Sequence, residues 1–318
     1  DGEVVDAHVE RALVHSVARL DYESVHASLA EGTVHPSIEL LPEVGRLRQK
    51  SSLRRRAINL RVPSVRVVGD GENYELVIEP RHPIMDYNSE ISLLTGMVAG
   101  RMMVDAGVGF LRTLGPASAE GEAEFRREAR NLGFDVAGDI GEFLAGVDAD
   151  TPRGMAVMRE AQKLLRGAGY VDLSEDAPEV HAGIGGHYAH VTAPLRRLVD
   201  RFATEVCLAI CADEPVPEWV ERDAARMLKT MGRSSQLANT VEKACLHLTE
   251  ATVLEPWVGH NFDGVVLKRG DDTARVFIVD PPVLAPSAGA PVEGAETKFS
   301  LVRADPEARE VGFAWPAD

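Results

Sequence analysis

The segment HYAHVTAPLRRLVD, residues 187–200, is the most informative part of this 318-residue sequence. Apolar residues recur at helical spacing through its second half and beyond: Leu195, Leu198, Val199, Phe202, Val206, Ala209 and Ile210. The spacing predicts a helix that is capped by Thr192 or Ala193 and has a proline in its first turn. Arg196 and Arg197 would then lie beside free N–H groups at the positive end of the helix dipole, where a phosphate binds favourably. Two solvated arginines on an amphipathic helix are the other interpretation of this pattern.

The segment also closely resembles the signature Y-A-H-F-T-S-P-I-R-R-Y-x-D of the ribonuclease II (RNB) family, whose members are processive, Mg²⁺-dependent 3′→5′ exoribonucleases. Ala193 replaces the usual serine, and Leu198 replaces the usual tyrosine. Thr204 and Glu205 stand where a His-Arg pair often follows. The resemblance implies that Arg196 contacts the scissile phosphate and acts in catalysis. It also implies RNA contacts from four neighbours in the segment: Tyr188, His190, Thr192 and Arg197.

Two further matches to the family lie earlier in the chain. Residues 18–25 resemble A-R-L-x-Y-x-x-V, which implies that Tyr22 contacts RNA near the active site. An aromatic ring packed at a helix start is the alternative interpretation. Residues 90–99 resemble E-x-M-x-x-A-N-x-x-x-A, with Gly96 at the asparagine position. This match implies that Glu90 binds a ribose hydroxyl, and a solvated helix glutamate is its alternative.

A basic cluster occupies residues 46–61, which contain seven basic residues and no acidic one. Such a cluster is either a solvated helix face or, in an otherwise acidic chain, a local attraction site for a polyanion. Residues 56–60 resemble the family's R-G-A-[IL]-x-[LF]. We therefore treat three arginines of the cluster as candidate RNA-binding residues: Arg54, Arg55 and Arg56.

Composition excludes several classes of protein. A net charge of −16 argues against a protein that coats nucleic acid non-specifically, although it permits an enzyme with an RNA channel. No apolar run reaches the ~18–20 residues of a membrane span. The three cysteines suit a reducing compartment, so we expect a cytoplasmic protein with no membrane contact. The N-terminus lacks a methionine and a signal-peptide pattern, which suggests a piece of something longer.

The order of helical and strand-like segments predicts a mixed α/β (α+β) core over residues 1–256. The resemblance implies that this is an RNB catalytic core that is incomplete at its N-terminal side. Short β runs after it predict a small OB-like barrel over residues 257–318, and the resemblance implies that this barrel binds RNA. We expect strands at residues 4–9, 65–67 and 74–79, with a turn at 69–73 between the last two. Two helices are expected at 221–229 and 234–254. The second should point five residues inward: Leu237, Val241, Ala244, Cys245 and Leu248. Residues 281–294 read as a loop.

The family's metal-binding string D-P-x-x-x-x-D-x-D-D is absent from the 318 residues. Its aspartates hold the Mg²⁺ that activates water for phosphodiester hydrolysis. We therefore expect no metal ligands in this chain, a Mg²⁺ cofactor only in the complete enzyme, and an N-terminal segment of the same protein as a partner. Glu242 stands at the glutamate of the family's A-x-x-x-E-R, beside the active site, and is the second candidate catalytic residue.

Two functions follow from this pattern. The first is an exoribonuclease that hydrolyses single-stranded RNA to mononucleotides, of which these 318 residues alone should be inactive. The second is a non-catalytic RNB-like protein that binds RNA or a protein partner, which the substitutions at Leu198 and Thr204 would suit. An unrelated acidic structural protein would require the signature to be a coincidence.

Overall fold

The computed structural model describes residues 2–62, 64–69, 74–79 and 81–316. Helices and short strands alternate along this part of the chain. The helices are α1 (Tyr22–Glu31), α2 (Leu41–Arg54), α3 (Pro83–Ala106), α4 (Ala119–Asn131), α5 (Ile140–Gly146), α6 (Pro152–Ala161), α7 (Leu198–Ala212) and α8 (Glu218–Leu254). The strands are β1 (Val65–Gly69), β2 (Tyr74–Ile78), β3 (Phe110–Thr113), β4 (Gly169–Asp172), β5 (Asn261–Arg269), β6 (Thr273–Ile278), β7 (Val283–Ala288), β8 (Glu296–Asp305) and β9 (Glu310–Ala314).

The chain divides into two units. The first consists of Asp1–Asn59, Arg81–Pro116 and Leu165–Ser234, and the second of Leu60–Pro80, Ala117–Leu164 and Ser235–Asp318. Each unit has its own hydrophobic core. The boundary between them falls inside α8, so this helix contributes residues to both.

The first unit is built around α3, which packs against α1, α2 and α7. Its core is lined by residues of α3, β3, α7 and the start of α8, among them Met103, Phe110, Phe202, Val206, Val220 and Met227. Helix α1 begins directly after Asp21, whose carboxylate caps it by accepting a hydrogen bond from the Ser24 N–H at 2.9 Å. Strands β3 and β4 pair antiparallel, with Arg112 opposite Tyr170.

The predicted start of α7 is wrong. The helix begins at Leu198 with Arg197 as its N-cap residue, rather than at a cap on Thr192 or Ala193. The intervening residues form a turn in which the N–H groups of Arg196 and Arg197 donate to the Ala193 carbonyl at 3.2 and 3.0 Å. Leu195, assigned to the apolar helix face, is therefore fully exposed.

Two other local predictions are also wrong. Residues 4–9 form no strand. The two helices expected near the C-terminal end of the core form the single helix α8, and its middle does not point inward: Leu237 is 66% exposed, and Val241 and Leu248 are also exposed. The helix persists there because an α-helix satisfies its own backbone hydrogen bonds without a neighbour.

The second unit contains a closed five-stranded barrel with the strand order β5-β6-β7-β9-β8. Neighbouring strands are antiparallel except for β7 and β9, which run parallel. Strand β7 lies in the region predicted as a loop, since Val283, Ala285 and Ser287 alternate into the interior despite the nearby proline and glycines. Phe299 and Phe313 fill the barrel, and the last turn of α8 joins the same core through Leu254. The mixed α/β core and this barrel confirm the predicted fold class.

The second unit also contains the predicted hairpin of β1 and β2, which pair antiparallel. Most of its predicted turn, residues 70–73, lies outside the described residues. Among the helices of the described chain, none has the length and apolar character needed to cross a membrane.

Candidate functional site

The turn before α7 is held by one buried carboxylate. Asp200 accepts a hydrogen bond from the Ala193 N–H at 2.6 Å and two from the Arg197 guanidinium at 2.8 Å each. Asp200 is fully buried and the Arg197 side chain is mostly buried, so this bidentate pair is a fixed part of the turn. The guanidinium donors of Arg197 are therefore occupied by Asp200. Arg197 also donates to the Thr192 hydroxyl, but only over 3.4 Å.

Arg196 has the opposite environment. Its side chain is exposed at the apex of the turn, and it has neither an ion pair nor a side-chain hydrogen bond with the described residues. It lies one residue before the N-cap of α7, close to the positive end of that helix. Of the two adjacent arginines, Arg196 is thus the one whose donors are available to an anion.

Tyr188 and His190, two candidate RNA contacts, belong to a cluster of aromatic rings. Tyr188 is buried, and a Cβ atom at position 96 would lie only 2.2 Å from its ring, so Gly96 makes room for the tyrosine where the family usually has asparagine. His190 Nδ1 is 2.7 Å from the Tyr170 hydroxyl. Burial lowers the pKa of His190 to about 4, and the charges of Arg197 and Arg112 act in the same direction. His190 is therefore a neutral imidazole at neutral pH.

Glu90 lies inside the first unit, on α3. It is 2% exposed, which rules out the solvated interpretation, and neither of its oxygens has a hydrogen-bond partner among the described residues. Burial raises the pKa of the Glu90 carboxyl, whereas the charges of Arg55 and Arg48 lower it. A buried carboxylate with two unsatisfied acceptors is a strong binding group for a hydroxyl.

The structure separates the members of the basic cluster. Arg48 is fully buried and donates a hydrogen bond to the Gly2 carbonyl at 2.6 Å. Arg55 is half-buried and donates from Nε to the Ile184 carbonyl at 3.3 Å, while its Nη2 is buried without a partner in the described chain. Arg54 and Arg56 are exposed, and Arg54 forms an ion pair with Glu3 at 2.8 Å. The cluster is thus partly a buried network beside Glu90 and only partly a surface.

Tyr22 begins α1, and its hydroxyl accepts a hydrogen bond from the Asn88 side chain at 2.9 Å. This contact joins Tyr22 to α3 at Asn88, which lies two positions before Glu90 in the sequence. Glu242 belongs to the second unit, where it is exposed on the middle of α8.

Metal ligation has little support in this chain. Among residues 2–62, 64–69, 74–79 and 81–316, no group of three or more His, Cys, Asp or Glu side chains is arranged to hold a metal ion. The residues that the structure describes therefore do not fit the Mg²⁺ site of the family. Burial raises the pKa of the Cys207 thiol to about 12, so that this thiol stays protonated.

Two residues near the signature were not singled out from the sequence. Arg112 lies with its guanidinium carbon 4.7 Å from the centre of the Tyr170 ring, and Tyr170 contacts His190. The only sequence signal is that residues 109–113, which contain Arg112, resemble the family's strand before its R-x-x-x-x-P turn. Tyr170 offers no signal, because only the pairing of β3 with β4 brings it to this place.

Comparisons with known proteins agree with the fold. The RNB domain model matches residues 1–210, and the model of the RNase II-type exonuclease C-terminal S1 domain matches residues 260–315. Ribonuclease R of Chlamydia pneumoniae is 24% identical in an alignment of 212 residues that covers 63% of this chain and 31% of that protein.

Two solved structures share the fold. Mycoplasma genitalium RNase R, in complex with ribose methylated single-stranded RNA, has a TM-score of 0.78 at 13% identity, over 92% of this chain and 52% of its own. Yeast Ssd1, described as a pseudonuclease, has a TM-score of 0.60 at 17% identity, over 87% of this chain and 36% of its own. The chain thus spans about a third to a half of the length of these relatives. By the match over residues 1–210, the chain belongs to the RNB family.

Proposed function

We propose that this chain is the RNA-binding and phosphate-contacting part of a 3′→5′ exoribonuclease that releases mononucleotides from single-stranded RNA. Family membership supports ribonuclease chemistry, and RNase R of M. genitalium binds single-stranded RNA on the same fold. One observation carries the proposal. Arg196 is exposed and has no ion pair among the described residues, whereas the adjacent Arg197 is fixed in an ion pair with Asp200.

The Mg²⁺-binding aspartates, on this proposal, are supplied by polypeptide outside these 318 residues. The support is the missing aspartate string and the lack of a metal-binding group among the described residues. The same polypeptide segment would be the partner of this chain. The three free cysteines support a cytoplasmic location for the assembled enzyme.

Arg196 is proposed to bind the scissile phosphate. Negative charge grows on the non-bridging oxygens of the phosphate during in-line attack, and a guanidinium already held at this position stabilises that charge. Because the stabilisation is larger in the transition state than in the ground state, it lowers the barrier more than it raises RNA affinity. Arg197, whose fork is occupied by Asp200, would instead hold the turn in shape.

Glu90 and Tyr22 are proposed to bind the nucleotide at this site. The two unsatisfied oxygens of Glu90 suit the hydroxyl of a ribose, and Arg55 Nη2 is a nearby donor without a partner in the described chain. The ring of Tyr22 is exposed, and the hydrogen bond from Asn88 to its hydroxyl holds it in place, so that a base can stack on it. No part is proposed for Glu242 beyond the family resemblance.

Single-turnover cleavage tests the role of Arg196 in a longer RNB polypeptide that carries the aspartates. We expect Arg196→Ala to slow cleavage by about 10²–10³-fold, as the loss of one oxyanion donor does, while RNA affinity changes far less. Arg197→Ala should weaken folding or binding more than the cleavage rate. The exposed Arg201→Ala, one turn into α7, is the control for loss of one positive charge. Equal losses of rate and affinity in Arg196→Ala would contradict the assignment.

The 318 residues alone should release no mononucleotides from RNA in the presence of Mg²⁺. Purified chain that hydrolyses RNA in a Mg²⁺-dependent manner, with contaminating nuclease excluded by an Arg196→Ala preparation, would show that its own carboxylates suffice.

A non-catalytic RNB-like RNA-binding protein is the second candidate. Its support is the shared fold with the pseudonuclease Ssd1 and the altered signature at Leu198 and Thr204. A longer polypeptide that binds single-stranded RNA but does not cleave it would favour this function over the first.

A further inference from the structure

Arg112 occupies a central place in the first unit. Its backbone N–H donates to the Tyr188 carbonyl at 2.7 Å, which ties β3 directly to the signature segment. Its guanidinium stacks on the Tyr170 ring, 4.7 Å from the ring centre, and Nη1 donates to the Gly169 carbonyl at 3.3 Å. Stacking of this kind holds the plane of the guanidinium and leaves the N–H groups at its edge free to bind.

The charge of Arg112 has no counter-ion. In the described part of the chain, no carboxylate lies within ion-pair distance of this half-buried guanidinium. The Asp200 carboxylate of the signature segment is already occupied by Arg197 and the Ala193 N–H. An uncompensated cation in a partly buried place is unfavourable unless an anion binds there.

The side chains around Arg112 are neutral. Burial lowers the pKa of both His181 and His190, and Arg112 adds to each shift. Burial also raises the pKa of Tyr170 and of Tyr188, so both phenols stay protonated. Arg112 and the Asp200–Arg197 pair together therefore leave this region with one positive charge near neutral pH.

We propose that Arg112 forms a second phosphate-binding position, which holds a backbone phosphate of the RNA strand whose scissile phosphate is bound by Arg196. The inference rests on the proposed function, because it assigns the anion to the same strand. A guanidinium matches the geometry of a phosphate. Arg112 is joined to the segment that carries Arg196 in two ways: its backbone N–H donates to the Tyr188 carbonyl, and the Tyr170 ring on which it stacks is hydrogen-bonded to His190. Tyr170 and His190 are positioning residues on this view, since their 2.7 Å hydrogen bond fixes the ring on which Arg112 stacks.

The salt dependence of RNA binding separates a phosphate contact from a structural role. Each phosphate of a single strand that a protein neutralises adds about 0.7 to the slope of log affinity against log salt concentration. The experiment measures the affinity of the 318-residue chain for a fluorescent oligouridylate at several salt concentrations. We expect Arg112→Met to lower the slope by about 0.7 and the low-salt affinity by about tenfold.

Three further variants make the result specific. Arg101→Met removes the same charge from an exposed arginine of α3 that pairs with Asp105, and should leave the slope unchanged. Arg112→Lys keeps the positive charge but cannot bind a phosphate bidentately. It should therefore keep the salt-dependence slope of the wild type and lower the RNA affinity severalfold. Tyr170→Phe removes the hydrogen bond to His190 and should weaken binding without removing the phosphate contact.

Each other outcome overturns the inference. A slope for Arg112→Met equal to that of Arg101→Met refutes the phosphate contact, whether or not affinity falls, and the proposed function survives if Arg196→Met still lowers the slope. If Arg112→Met fails to fold, the Arg112→Lys variant is the test. Wild-type RNA affinity in that variant would rule out a bidentate contact between the Arg112 guanidinium and a phosphate. A wild-type chain that does not bind the oligouridylate at all overturns both proposals.

Discussion

The C-terminal barrel and the N-terminal segment Val9–Leu20 are both rich in aliphatic residues, yet only the barrel forms strands. In the barrel every strand has neighbours, and Phe299 and Phe313 are buried between them. In the N-terminal segment Leu13 and Val14 are almost fully exposed, and no strand forms. The difference shows that β propensity expresses itself only where a second strand satisfies the N–H and C=O groups.

Helix α8 completes this comparison. Its first turns bury Val220 and Met227 and its last turn buries Leu254, whereas Leu237 and Val241 between them are exposed. The helix is continuous nonetheless, since its hydrogen bonds run within the element. An apolar segment without neighbours thus forms no strand in residues 9–20, whereas the middle of α8 remains helical without them.

The largest expected effect tests the barrel half of the comparison. Phe299→Ala removes a fully buried ring, and we expect the free energy of unfolding to fall by about 3–5 kcal/mol. Chemical denaturation of the chain measures the change. Val302→Ala, at an exposed position of the same strand, is the control and should change stability by less than about 0.5 kcal/mol. Similar losses in both variants would mean that the barrel does not close in solution.

The next effect concerns the end of α8 that packs into the barrel core. Burial raises the pKa of Glu250 from 4.5 to about 7, opposed by Arg159. The folded state therefore keeps a proton that the unfolded state loses as the pH rises from about 4.5 to about 7, so stability falls across this window. The total fall is about 3 kcal/mol, at about 1.4 kcal/mol per pKa unit.

Denaturation of the Glu250→Gln variant at several pH values checks this expectation. The variant should have a nearly flat stability profile between the same pH limits, because the amide does not titrate. Glu255→Gln, an exposed neighbour just beyond α8, should retain the wild-type profile. A wild-type stability that rises with pH in this window would contradict the sign of the pKa shift.

The smallest effect tests the N-terminal half of the comparison. Leu13→Ser and Val14→Ser should each change the free energy of unfolding by less than about 0.5 kcal/mol, because neither side chain loses buried contacts. The same denaturation experiment measures both variants. A loss above about 1 kcal/mol in either one would indicate that the segment packs against something in solution.

The candidate site was predictable in part. The signature led to Arg196, and the family match led to Glu90, yet the burial of Glu90 and the occupied fork of Arg197 were not visible in the sequence. Arg112 was passed over, because its importance depends on Tyr170, which is 58 positions away along the chain and opposite it in a strand pair. Side-chain partners at such separations leave no periodic pattern for a sequence to reveal.

The amino-acid sequence alone was sufficient to predict features that depend on residues close together along the chain. These include the β1–β2 pair, the C-terminal barrel apart from β7 and the signature of the RNB family. Tertiary structure decided where α7 begins, since a buried Asp200 draws the Ala193 N–H and Arg197 into a turn that replaces the first helical turn. It also decided which apolar residues are buried. Caps and turns are local hydrogen bonds, whereas burial and ion pairing require a partner that only the folded chain brings close.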